Sequence, residues 1–184
     1  MRLLLIAAML LSGLAIGRAA AAEQCAPGSY SVVMSPDSTT LSILFDSMVA
    51  DSTAPDRVCS VHVPLSLPEG MSLGVYRVDY RGYAHLSSKD DGQFSATYRF
   101  GPNKARAFSR KIRGPADDDF TFTENIGAGL MKRVGCGSDA SLEVTVGIAL
   151  PASAPADDLA SIDSADGAPK GGVVYHFDLK KCQP

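Results

Sequence analysis

Hydrophobic and polar residues alternate with a period of two through most of this chain. The longest regular run covers residues 142–150, where every second position is Leu, Val or Ile. The same alternation covers residues 59–67, 94–100 and 173–180, and shorter versions occur at 41–45 and 120–122. Because successive side chains of a strand point to opposite faces of a sheet, each run predicts a half-buried β-strand.

Turn-forming pairs separate these runs, among them Pro36-Asp37, Asp91-Gly92 and Gly114-Pro115. Beyond residue 22, no segment repeats apolar residues at the i, i+3, i+4, i+7 spacing of an amphipathic helix. Short strands with frequent turns are typical of antiparallel sandwiches. The sequence therefore predicts an all-β fold, an antiparallel β-sandwich of about eight or nine strands.

Three places depart from the regular pattern. Pro64 falls inside a strand, which predicts an edge position or a bulge there, because proline cannot donate to a sheet. The apolar phase changes from odd positions at Leu73 to even positions at Val78, which predicts a bulge near Gly74. Residues 151–172 are rich in Ala, Asp, Ser and Pro without any period, and they predict a long mobile loop.

The N-terminus has the organisation of a secretory signal peptide. Arg2 precedes an apolar stretch that continues to Ile16, and four alanines follow at 19–22. The apolar stretch is too short for a stable membrane span. We therefore predict a signal peptide over residues 1–22, cleavage before Glu23, and a single β-sandwich domain over 23–184. The expected location is secreted or periplasmic.

Charge narrows the range of partners. Removal of Arg2 and Arg18 with the signal peptide leaves 15 basic residues against 20 acidic ones, a formal charge of −5. Nucleic-acid binding needs a basic surface, so we expect no nucleic-acid partner. No later segment is long and apolar enough to span a membrane, so none is expected after signal removal.

Four cysteines lie in the mature part of the chain. An even number in a secreted protein indicates two intramolecular disulfides and no free thiol. Three pairings are possible. We favour one bond between the chain ends and one between two strand starts, which pairs Cys25 with Cys182 and Cys59 with Cys136.

Several stretches together resemble one secreted family, and the most specific is Asp79-Tyr-Arg-Gly-Tyr83. In order and spacing, the chain is similar to the family called domain of unknown function 4360. The resemblance implies a small secreted β domain with disulfides, and no catalytic residues come with it. This chain departs from the family pattern in lacking tryptophan. The other matching stretches are 25–33 with 41–45, 57–59 with 67–70, 98–100, and 136–137 with 142–150.

The sequence offers few groups for chemistry. His62, His85 and His176 all fall on the polar phase of predicted strands, so we expect them to be exposed and to hold no metal. Aspartate runs, such as residues 117–119 and 157–158, are interpreted as solvated turns, with calcium binding as the alternative. No nucleophile or phosphate-loop motif is present, and no cofactor is expected.

One predicted strand face combines arginine with aromatic residues. Period two places Arg77, Arg81, Tyr83 and His85 together, and Asp79 lies in the same row. Such a row suits an acidic sugar, although pairing of the arginines with neighbouring acids would give it a purely structural role. The hypothesis is a secreted non-catalytic domain that binds a surface, glycan or protein. The alternatives are a small extracellular hydrolase with an unrecognised site and an inhibitor or effector that acts on a foreign protein.

Overall fold

A computed structural model describes residues 24–87, 90–127, 130–137, 140–162 and 172–182, and within them it consists of two antiparallel sheets. The smaller sheet has four strands in the order β4-β10-β6-β7. Their bounds are β4 Asp56–Pro64, β6 Asp91–Phe100, β7 Arg106–Arg113 and β10 Ser141–Ala149. The predicted all-β fold is confirmed.

The larger sheet has eight strands built around β5, which runs through Met71–Leu86. Strand β5 pairs with β12 and then β11 along one edge, and with β9 and then β8 along the other. Strand β2 pairs with both β12 and β1, and β11 pairs with β3. The remaining bounds are β1 Tyr30–Met34, β2 Thr40–Phe45, β3 Val49–Asp51, β8 Ala116–Asn125, β9 Val134–Gly135, β11 Leu159–Ser161 and β12 Gly172–Lys181.

Aromatic rings from both sheets fill the space between them. Tyr80 of the larger sheet stacks on Phe108 of the smaller one, with ring centroids 4.6 Å apart. Phe100 of the smaller sheet meets the edges of Tyr175 and Phe177 at 5.4 and 5.8 Å. These contacts join the inward faces of both sheets, since alternate residues on each strand point into one shared core.

The structure contains the bulge expected near Gly74 and the edge position expected for Pro64. The register of β5 against β12 shifts where Val75 and Arg77 face Phe177 and His176, so Tyr76 is the extra residue, two positions after Gly74. Tyr76 is therefore 49% exposed, although the apolar phase of the sequence placed it in the core. Pro64 ends β4, which is an edge strand of the smaller sheet, as expected.

The loop predicted over residues 151–172 is wrong in part. Its residues 159–161 form β11, which lies between β3 and β5, with Ala160 fully buried. A three-residue strand is too short to show a period of two, which is why the pattern did not reveal it. Residues 163–171 lie outside the described part of the chain.

Two disulfides are present and no cysteine is free, as predicted, but the pairing we favoured is wrong. Cys25 bonds Cys59, and Cys136 bonds Cys182. The segment at Gln24 lies parallel to β4, where the Cys25 N–H donates to the Ser60 carbonyl at 3.0 Å, so Cys25 lies beside Cys59. Strands β12 and β9 pair with opposite edges of the start of β5, where the Cys182 N–H donates to the Gly70 carbonyl and the Cys136 N–H donates to the Met71 carbonyl, and this brings the two cysteines together. Each bond therefore joins neighbouring segments and not the two chain ends.

The predicted signal peptide lies outside the described residues. Within the described ranges, no helix is long and apolar enough to cross a membrane.

Candidate functional site

The candidate site lies on the outer face of the larger sheet, along β5. The strand alternates strictly here, so Val78, Tyr80 and Ala84 are buried in the core while the intervening residues face outward. We call the outward row the β5 strip. It consists of Arg77, Asp79, Arg81, Tyr83 and His85, so the structure brings all four sequence-predicted binding residues onto one face.

Asp79 is the centre of the β5 strip and is fully buried although it lies on the outer face. Its carboxylate accepts hydrogen bonds from Arg77 and from the Thr123 hydroxyl, the latter at 2.7 Å. His176 Nε2 lies 2.9 Å from the same carboxylate. Burial by itself raises the pKa of this carboxyl, but the bonds from Arg77, Thr123 and His176 outweigh burial and lower the pKa to about 2. Asp79 is therefore ionised at neutral pH, and its carboxylate holds Arg77 and Thr123 in place through hydrogen bonds.

The two arginines of the strip differ in how they are engaged. Arg77 makes a bidentate contact with Asp79, with Nε at 2.9 Å and Nη2 at 2.6 Å from the two carboxylate oxygens. Arg81 is only at ion-pair distance, with Nη2 3.9 Å from Asp79, and forms no hydrogen bond among the described residues. Its side chain is 41% exposed. Arg81 thus keeps guanidinium donors directed to solvent, whereas Arg77 is held in place.

Tyr83 and His85 share one acceptor on the neighbouring strand. The Tyr83 hydroxyl donates to Asp117 of β8, and His85 Nδ1 lies 3.2 Å from the same carboxylate oxygen. The Tyr83 bond, followed by the His85 contact, lowers the pKa of Asp117, and the same bond raises the pKa of Tyr83. Both rings are thereby oriented while they remain partly exposed to solvent.

A groove of about 500 Å³ continues the strip beyond His85. Asp158 in its lining is 2% exposed. Its Oδ1 accepts the Ser87 N–H at 3.0 Å, whereas its buried Oδ2 has no hydrogen-bond partner among the described residues. The lining comes from three segments: His85, Leu86 and Ser87 at the end of β5, Pro115, Ala116 and Asp117 at the start of β8, and Pro155, Asp157 and Asp158 before β11.

Acidic residues dominate the groove end of the site. Asp117, Asp118 and Asp119 are exposed on β8, directly opposite His85, Ala84 and Tyr83 of β5. Asp157 and Asp158 add two carboxylates across the groove. The region is therefore not basic, because the two arginines of the strip are outnumbered and one of them is paired with Asp79.

The three histidines lie in different surroundings. His62 and His85 are exposed, as expected, with 54% and 47% of their side chains accessible. His176 is not, since it is 18% exposed, contacts Asp79 and lies 6.0 Å from the Tyr76 ring. His176 faces outward, but its contacts with Asp79 and with the Tyr76 ring on β5 reduce its exposure. In the described part of the chain, no group of three or more His, Cys, Asp or Glu residues is arranged to hold a metal ion.

A polar cluster inside the sandwich was not predicted from the sequence. Glu124 accepts hydrogen bonds from Tyr98 at 2.9 Å, Tyr80 at 3.1 Å and Arg106 at 2.9 Å. Burial, followed by nearby groups such as Glu124, raises the pKa of both tyrosines. The available signal was that Glu124 continues the inward phase of Phe120 and Phe122. The cluster ties β8 to β5, β6 and β7.

Comparison with known protein families shows which family the chain belongs to. The model of the family described as "Domain of unknown function (DUF4360)" matches residues 20–182, so the chain belongs to this family. The chain is similar to an uncharacterized secreted protein of Arthroderma benhamiae (strain ATCC MYA-4681 / CBS 112371), with 27% identity over 166 residues. That match covers 86% of this chain and 67% of the relative. The secreted location is confirmed by this relative together with the two disulfides.

Two solved structures are distantly similar. The structure of TmCBM61 in complex with β-1,4-galactotriose has a TM-score of 0.35 and 14% identity, covering 83% of this chain and 82% of that one. A Bacillus thuringiensis Cry1Da tryptic core variant has a TM-score of 0.30 and 13% identity, covering 84% and 21%. Both similarities are too distant for a function to be transferred.

Proposed function

We propose that this secreted member of the DUF4360 family is a non-catalytic domain that binds a glycan through the β5 strip. The observation that carries the proposal is that Arg77 is bound to Asp79, whereas Arg81 is exposed and forms no hydrogen bond among the described residues. Asp79 is occupied by Arg77, Thr123 and His176, so the exposed Arg81 presents donors to solvent beside the oriented Tyr83 ring. Arginine and tyrosine on a rigid strand are typical of recognition surfaces.

The surrounding charge favours a neutral glycan over the acidic sugar that the sequence suggested. Exposed carboxylates of Asp117 and Asp119 lie next to His85 and Tyr83, and an anionic ligand would meet them as well as Arg81. Sugar hydroxyls both donate and accept hydrogen bonds, so they can satisfy Arg81 and these carboxylates together. The Tyr83 ring offers its face for stacking.

Asp79 and Asp117, two carboxylates of the site, do not have the raised pKa of a hydrolytic acid. General acid catalysis at neutral pH needs a carboxyl group whose pKa is raised. Hydrogen bonds from Arg77 to Asp79 and from Tyr83 to Asp117 instead lower the pKa of each acceptor, although burial of Asp79 works against this. This favours a binding role over the hydrolase alternative.

The test is binding of purified protein to an array of neutral and acidic glycans, followed by titration calorimetry. We expect a neutral glycan to bind, with Arg81→Ala and Tyr83→Ala each weakening binding about ten-fold. Arg113→Ala is the matched control, because Arg113 is exposed on β7 of the other sheet. Binding that survives both strip substitutions, or that is lost equally in the control, would contradict the proposal.

We also propose that residues 1–22 are removed and that residues 23–184 act as a single domain. The described strands from Tyr30 to Lys181 all belong to the two packed sheets, which supports one folding unit. N-terminal sequencing of secreted protein should give Glu23, and calorimetric unfolding should show one transition. A different mature start, or two independent transitions, would contradict this organisation.

A further inference from the structure

Asp158 is the most unusual group at the end of the strip. It is 2% exposed, and within the described part of the chain Oδ2 has no hydrogen-bond partner, while Oδ1 accepts the Ser87 N–H. A buried carboxylate oxygen without a partner is unfavourable, and in native proteins a water, an ion or a ligand group completes such a site. Asp158 therefore points to a missing donor in the groove.

The groove combines this carboxylate with two further acids and with apolar walls. Asp157 is exposed on the same segment, and Asp117 faces the groove from β8. Pro115 and Pro155 supply C–H surface of the kind on which the apolar face of a sugar ring packs. Acidic side chains and apolar walls together fit a ring that carries a positively charged substituent.

A metal ion fits less well than an organic cation. Calcium needs six to eight oxygen ligands at about 2.3–2.6 Å. The described residues contain no group of three or more His, Cys, Asp or Glu side chains arranged for a metal. An ammonium group has only three N–H donors and demands no such shell, so separate carboxylates around an open groove can satisfy it.

We propose that this groove is a subsite for the ammonium group of an amino sugar, with Asp158 and Asp157 as its acceptors. The inference rests on the proposed function and deepens it, because His85 belongs both to the β5 strip and to the groove lining. A glycan that lies along Arg81 and Tyr83 would place its next ring between Pro115 and Pro155. The ligand class is thus a glycan without acidic groups whose ring in the groove carries a free amino group.

The test compares glucosamine oligomers with N-acetylated oligomers of equal length, by titration calorimetry at low and high salt. The two differ only in the charge and substitution of the amino group. We expect the free amine to bind about ten-fold tighter than the acetylated form, and the preference to shrink at high salt. Asp158→Asn should abolish the preference, since the amide keeps an acceptor for Ser87 but loses the charge.

Two further variants keep the test interpretable. Asp56→Asn removes the same charge from an exposed position on β4, in the other sheet, and should leave the preference for the free amine unchanged. If Asp158→Asn fails to fold, Asp157→Asn provides the test. Because Asp157 is exposed, its substitution should reduce the preference for the free amine without affecting the fold.

The outcomes separate this proposal from the broader one. Equal binding of both oligomers, or binding of neutral glycans alone, overturns the ammonium subsite and leaves the glycan-binding strip in place. No binding to any glycan overturns the proposed function itself. Stoichiometric calcium binding that Asp158→Asn removes, without a preference between the oligomers, also overturns the ammonium subsite.

Discussion

Asp79 shows how a single charged residue can be buried on the surface of a sheet. Its carboxylate lies beneath the longer side chains of Arg77, Arg81 and His176, which shield it from water and stabilise its charge. Burial of an ion without partners is costly, whereas a charge with several donors is tolerated. Asp79 therefore organises the outer face of β5 before any ligand arrives.

The first prediction concerns removal of that charge. Asp79→Asn should lower the free energy of unfolding at pH 7 by about 2 kcal/mol, because the pKa of Asp79 is held near 2 in the folded protein against an ordinary 3.8. Urea unfolding followed by circular dichroism measures the change. Asp56→Asn, on an exposed position, should change the stability little. Equal stability of wild type and Asp79→Asn would show that the cluster contributes nothing net.

The same residue predicts a pH dependence with a definite sign. The folded pKa of Asp79 lies below the unfolded one, so its stabilisation is complete above about pH 5 and is lost as the pH falls through 4 towards 2. The stability difference between wild type and Asp79→Asn should therefore close over this range. Urea titrations at several pH values measure it. A difference that stays constant down to pH 2 would contradict the assignment.

At the scale of elements, β5 is continuous for 16 residues because two local features adapt it to its neighbours. The extra residue Tyr76 changes the phase, so that both Leu73 and Val78 point into the core. Further along, Gly82 lets β11 and β8 approach closely. A Cβ atom there would fall against the Ser161 carbonyl oxygen and the Phe120 ring.

This close approach predicts a steric cost for a side chain at Gly82. Gly82→Ala should destabilise the protein by about 2 kcal/mol, as overpacking typically does. Gly92→Ala in β6 is the control, because its Cβ would make ordinary contacts at 3.4 Å or more with Ile112. Thermal unfolding compares the two. Similar melting temperatures for both variants would show that β11 moves aside freely.

The sequence predicted strands where the alternation of apolar and polar residues is long. It did not predict which strands pair with each other. The alternation at residues 142–150 and 173–180 gave β10 and β12 nearly to their ends, because each buries one face. Three short strands, β3, β9 and β11, have too few residues to show a period. In the candidate site, period two grouped the residues of the β5 strip on one face. The inward position of Glu124 also followed from the alternation of β8, but its hydrogen bonds to Tyr98 and Arg106 and the place of Asp158 in the groove depend on contacts between segments distant in sequence.

At the scale of the whole molecule, the two disulfides secure different sheets. The bond between Cys25 and Cys59 holds the N-terminal segment against β4, and the bond between Cys136 and Cys182 holds the end of β12 near β9. Their sequence separations are 34 and 46 residues. In the chain-entropy account, loops of this size contribute about 4 kcal/mol each.

This arrangement predicts both linkage and stability. Peptide mapping without reduction should recover Cys25 joined to Cys59 and Cys136 joined to Cys182. The double variant Cys136→Ala/Cys182→Ala should lose up to about 4 kcal/mol of unfolding free energy, measured in urea. Its remaining bond should still map to Cys25 and Cys59. A peptide joining Cys25 to Cys182 would contradict the arrangement.

Strand β12 has a consequence for the order in which the molecule assembles. It lies between β2 and β5, yet the ribosome makes it after both of them. Until residue 181 has emerged, β2 and β5 each expose an edge with unsatisfied backbone groups, a template on which other chains can pair. The smaller sheet, whose last strand is β10, can form earlier. The large sheet therefore closes after the small one can form, and those two edges stay open to pairing with other chains until β12 is in place.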